Sequence, residues 1–130
     1  LERFTSFEGK TGPYMLYAAV RIKSLLRRAK DAGHEPGAVT IERDTERALV
    51  LAMDGFAQAL AQSHAKRQPH ILCEHVYSLA QAFSALYADA PIANESDAAV
   101  RASRLGLCEA VLKQLETGLG ILGIEAPERM

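Results

Sequence analysis

Apolar residues recur along most of this chain at steps of three and four, the spacing that turns one stripe of a helix toward a core. The first such run follows Gly12-Pro13 and lasts to Gly33, which predicts a helix over about Pro13 to Ala32, because proline is tolerated at a first helical position and glycine favours a stop. Breakers fill Gly33-His34-Glu35-Pro36-Gly37, a loop. A short β-branched segment then leads to Asp44 or Thr45 as the N-cap of a second helix, about Thr45 to Met53. Asp54-Gly55 marks a break before a third helix that runs to about Lys66. Pro69 begins a fourth, in which Leu72, Val76, Leu79, Phe83 and Leu86 alternate steps of four and three, and which ends before Pro91. Ser96 or Asp97 caps a long fifth helix carrying Leu105, Cys108, Leu112, Leu115, Leu119 and Leu122. Gly118 and Gly120 weaken its last turns, and Pro127 keeps the tail from continuing it. The expected fold is all-α, an antiparallel bundle of about five helices.

Composition supports that class. Ala and Leu dominate, only 6% of residues are aromatic, and 48% hydrophobic residues in 130 suffice for a single core. No run has the apolar length of a membrane span, and the N-terminus lacks the order of a signal peptide, so a cytoplasmic protein that does not meet a membrane is expected. Cys73 and Cys108 sit inside apolar helical patterns and read as reduced core thiols. The formal net charge of −1 argues against a nucleic-acid binder, but its distribution does not. Lys10 to Lys30 holds six basic residues and no acid, whereas Asp31 to Asp54 holds six acids against two arginines. Such asymmetry suggests one basic face.

On a helical wheel Met15, Ala18, Ala19, Ile22, Leu25, Leu26 and Ala29 form a sufficient core face for the first helix. Tyr14, Tyr17, Arg21, Ser24 and Arg28 form a separate stripe, roughly 120° around. Packing does not require that stripe. Its rings suit stacking by unpaired bases and its guanidinium groups suit their edges and phosphates. Alternatively, the tyrosines cover a neighbouring helix with wet hydroxyls while the arginines solvate the surface.

The segment Gly9 to Ile22, GKTGPYMLYAAVRI, resembles the G-x-T-G-P-Y-x-x-Y-A-x-x-R-[IL] signature of arginyl-tRNA synthetases, where it opens the helical, DALR-type anticodon-binding domain that follows a class I catalytic domain. Leu79-Ala80-Gln81-Ala82-Phe83 with Tyr87, the block Arg101 to Leu105, and the ending Leu122 to Met130, LGIEAPERM, are similar to further blocks of that family, in the same order. The resemblance implies that Tyr14, Tyr17, Arg21 and Met130 meet the anticodon loop. Tyr17 and Arg21 would cradle a flipped base, Tyr14 would buttress or stack, and Met130 would add an apolar contact. Ser24, Arg28 and Arg129 are weaker candidates, the two arginines as phosphate contacts. Tyr87 reads as a helix-end packing residue. Leu16 and Ala19 stand where the family often has Gln and His, so any contact of those side chains is lost or replaced.

The resemblance further implies that residues 1–12 are the connection from a catalytic domain and 13–130 the anticodon-binding domain of a monomer. Its partners would be that catalytic domain and an arginine-accepting tRNA. The H-I-G-H and K-M-S-K-S signatures of the family are absent from the sequence. No catalytic residue and no aminoacylation by this piece alone is therefore expected, and ATP and Mg²⁺ are implied only for a full-length enzyme. Neither a Gly-rich phosphate loop nor a G-x-S-x-G element occurs. His70, Cys73 and His75 cannot converge on a metal, since on a helix His75 points roughly 140° from His70. Asp44, Glu46 and Asp54 read as caps and first-turn acids. A helical protein-interaction or assembly domain that uses the Tyr/Arg stripe as its interface is the alternative to RNA binding.

Overall fold

The computed structural model describes the backbone of residues 2–123 and the side chains of 12–123. Five helices follow one another: α1 (Glu2–Asp31), α2 (Asp44–Asp54), α3 (Phe56–Lys66), α4 (Pro69–Asp89) and α5 (Ala98–Ile121). No strand occurs among the described residues, so the all-α bundle expected from the periodicity stands.

α1 corrects the expected start at Pro13, because the helix already runs from Glu2 and carries the proline inside. Proline's fixed φ is itself helical; what it removes is one amide donor. A helix already under way can therefore pass through, at the cost of one backbone hydrogen bond and of crowding between the ring and the carbonyl four residues back. The N-cap of α2 is Arg43, not Asp44 or Thr45, because the carboxylate of Glu46 reaches back to accept from the amides of Glu42 (2.7 Å) and Arg43 (3.1 Å). With that acceptor in place, the side chain of Asp44 is not needed as a cap. Pro69 does open α4, and the Asp97 carboxylate does cap α5 by accepting from the amides of Ala99 and Val100.

α4 lies at the centre, in contact with each of the other four helices. Its buried residues, Leu72, Cys73, Val76, Leu79, Ala80, Phe83 and Leu86, include every member of the expected apolar stripe. Met15, Ala18, Ala19, Ile22, Leu25 and Ala29 bring α1 to that core, with Leu26 half-buried at its edge. α5 runs antiparallel to both. Lys23 pairs with Glu116 at 3.1 Å, and Cβ of an alanine at Gly118 would fall 2.5 Å from Val76. α1 and α4 run side by side in the same direction: Tyr14 meets Tyr77 and Ser84, and Arg21, seven residues on, meets Tyr87. The long α1–α2 loop is pinned to α5 where Gly37 donates to the Ala102 carbonyl and Thr40 exchanges hydrogen bonds with the Ser103 hydroxyl. Both cysteines are buried and neither is in a disulfide, and burial pushes the Cys108 thiol up to about 12.

Candidate nucleic-acid interface

The parallel pairing of α1 and α4 sets Tyr17 and Arg21 of the first helix beside Tyr87, at the end of the other. The Arg21 guanidinium lies 4.6 Å from the centre of the Tyr87 ring and 5.2 Å from that of Tyr17. It is thus bracketed by two phenols, both facing solvent: Tyr17 is 57% exposed and Tyr87 39%. No described carboxylate pairs with Arg21. Asp89, the nearest acid in sequence to Tyr87, is taken up by Arg43 at 3.5 Å and by the Thr45 hydroxyl at 2.7 Å. The face therefore keeps between two aromatic planes a guanidinium that no described carboxylate neutralises, and such a surface can accept a flat base, its edge, or a phosphate.

The other stripe residues divide. Tyr14 is half-buried: its ring tilts against Tyr77 with centroids 5.3 Å apart, and its hydroxyl donates to the Ser84 hydroxyl at 3.0 Å. It ties α1 to α4 and supports the platform from behind. Ser24 is half-buried and Arg28 exposed. Arg28 borders a small cavity of about 120 Å³ that also touches Tyr87, Pro91 and Asn94, so the surface continues from the rings toward a second guanidinium. Arg129 and Met130 lie outside the described residues.

Periodicity alone missed two residues. Tyr87 packs near Phe83 (centroids 6.0 Å apart), as a helix-end residue should, but it also carries the guanidinium of Arg21. Its partner is in another helix 66 positions earlier, so no local pattern could reveal the pairing. Arg104 is the other. Only 3% exposed, it donates from Nε to Glu46 (2.8 Å) and from one terminal nitrogen to the Pro91 carbonyl (2.8 Å) and to Glu95 (2.9 Å). Arg101 adds a hydrogen bond to the Glu95 carbonyl at 2.8 Å. These bonds hold the 91–95 segment, one wall of the cavity beside Tyr87, against α5 and α2. An arginine just ahead of the apolar run Leu105 to Cys108 was the sequence signal for such a clamp. Burial pushes the Glu46 carboxyl up, but the Arg104 hydrogen bond, the two amides and the guanidinium charge outweigh it and hold the group below its ordinary value.

The DALR anticodon binding domain family matches residues 15–130 of the chain. The whole chain aligns with the arginine–tRNA ligase of Hyphomonas neptunium at 63% identity and with that of Maricaulis maris at 58%, covering 22% of each of those proteins. Among solved structures it is similar to Thermus thermophilus arginyl-tRNA synthetase, with 36% identity and a TM-score of 0.81, covering 95% of this chain and 22% of that one. The chain thus spans about a fifth of the length of the relatives it matches.

Proposed function

Because the chain belongs to the DALR anticodon binding domain family, we propose that it binds the anticodon loop of an arginine-accepting tRNA through Tyr17, Arg21 and Tyr87. The observation that carries this reading is the Arg21 guanidinium held between two exposed phenol rings with no described carboxylate to neutralise it. A base that has left the loop's stack would lie on a ring face, and the guanidinium, already oriented by the rings, would hydrogen-bond its edge or a flanking phosphate. Tyr14 would act as the buttress, through its ring contact with Tyr77 and its bond to Ser84. Arg28 would take a phosphate, and Met130 and Arg129 would contribute from the tail, roles that rest on the family resemblance.

The chemistry supplied is positioning without bond making. In a full-length arginine–tRNA ligase this domain would present the acceptor end of the tRNA to a catalytic domain that uses ATP and Mg²⁺ to transfer arginine, and the chain alone would be inactive. The test is filter binding of an arginine-accepting tRNA to the wild type and to Arg21→Ala. The expected loss is about 1–3 kcal/mol, the scale of one good base contact. Unchanged affinity, with helix content intact by circular dichroism, would overturn the assignment. Salt separates it from the assembly-domain reading, since phosphate-driven binding weakens steeply as salt rises and an apolar interface holds or tightens.

A further inference from the structure

From Gly55 to Cys73 the sequence contains no acidic residue, while His64, Lys66, Arg67 and His70 fall within seven positions. The fold gathers them at the turn between α3 and α4. His64 and Lys66 lie in the last turn of α3, Arg67 follows it, and His70 is the second residue of α4. His64, Lys66 and Arg67 are exposed, and an open cleft of about 580 Å³ is lined by Ser63, His64, Arg67 and Pro69. No described carboxylate pairs with Lys66 or Arg67. Arg67 moreover adopts φ 54°, the left-handed conformation where helices usually end in glycine. A long cationic side chain therefore occupies a position where the backbone alone would favour none.

Given the RNA-binding role proposed above, on which this step rests, we propose that the α3–α4 turn is a second contact surface for the same tRNA. Lys66 and Arg67 take backbone phosphates remote from the loop held at Arg21. The chemistry fits phosphates: Arg67 and His64 line an open cleft with the exposed Lys66 beside it, and such a surface positions a polyanion without enclosing a base. The geometry suits a folded RNA. From Pro69 to Tyr87, α4 spans about 27 Å at about 1.5 Å per residue. On the order of eight stacked nucleotides, at about 3.4 Å each, are needed to cover that distance. A loop whose nucleotides stay stacked falls short of it, and the stem behind the loop covers it.

The test compares two probes, an arginine-accepting tRNA transcript and a heptanucleotide of its anticodon-loop sequence, across about 50 to 200 mM salt. In Lys66→Ala/Arg67→Gly the slope of log affinity against log salt for the tRNA is expected to fall by between about 1 and 2, at about 0.7 to 0.9 per lost phosphate contact. The heptanucleotide slope should stay as in the wild type. Glycine suits the left-handed position, so the melting temperature should hold or rise. Lys66→Ala alone, at an exposed helical site, should lower the tRNA slope by about 0.7 to 0.9. An unchanged tRNA slope in both variants would overturn the proposal and leave an acidic protein surface as the partner of this turn. An equal fall with both probes would also overturn it, by revealing a general field effect. Failure of the underlying RNA-binding role has a separate signature, in which Arg21→Ala binds both probes as the wild type does.

Discussion

A guanidinium resting on an aromatic face gains about 0.5–1 kcal/mol at an exposed site, and more where water is excluded. Arg21 has two such faces, which restrict its rotamers before any ligand arrives and so reduce the entropy lost on binding. Tyr17 contributes to that surface while burying little of itself. Tyr17→Ala is therefore expected to weaken tRNA binding by about 1–3 kcal/mol, the range for one stacked base, while stability moves by less than about 0.5 kcal/mol, as at other exposed sites. Parallel filter binding and urea denaturation measure the two effects. Tyr14 should show the reverse emphasis. Tyr14→Phe keeps the ring against Tyr77 but leaves Ser84 without its donor, and about 0.5–1.5 kcal/mol of stability should be lost in the same denaturation experiment.

At the level of elements, α5 performs two jobs that its apolar stripe conceals. One is the clamp. Arg104 joins α5 to α2 and to the segment before α5, and its removal leaves the Glu46 carboxylate, 1% exposed, without its cation. Arg104→Met should therefore cost about 3–5 kcal/mol, read from the denaturation midpoint. The Glu46 carboxyl sits below its ordinary 4.5 in the folded state. The stability it adds is thus complete above that pH and is lost as pH falls through it toward the folded-state value. In acid melting scans the wild type should lose stability below about pH 4.5 more steeply than Glu46→Gln. The other job is close packing. A Cβ at Gly118 would meet the buried Val76 side chain at 2.5 Å, whereas one at Gly120 would meet nothing within 4 Å. Gly118→Ala should destabilise by about 1–3 kcal/mol. Gly120→Ala should stabilise by about 0.5–1 kcal/mol through helix propensity, and thermal melts of the two single variants should shift in opposite directions.

Across the whole molecule, helices from distant parts of the chain enclose groups that none of them would bury alone. His75 of α4 is one. It packs on Phe56 of α3, and its Nε2 is buried without a hydrogen-bond partner. Burial lowers its pKa, against a smaller upward pull from Gln114 of α5. The unfolded chain takes up a proton below about 6.5 that the fold resists, so stability should fall as pH drops through that value, and His75→Gln should flatten the melting profile there. Helix number, the breaks at Gly33, Asp54-Gly55 and Pro91, and the core faces of α1 and α4 were all legible in the sequence, since the 3.6-residue period and the turn residues are local properties of the chain. The family was legible for a related reason: short motifs survive as strings of letters. The start of α1, the cap of α2, the seating of Arg21 on Tyr87 and the burial of Arg104 were not. The cap of α2 turns on a choice between neighbouring acids, Glu46 against Asp44, and the start of α1 on a proline that a helix can carry, whereas the seating of Arg21 and the burial of Arg104 depend on which segments, tens of residues apart, come to lie within a few ångströms of one another. Sequence period determines which face of a helix turns inward, and only tertiary packing decides what that face meets.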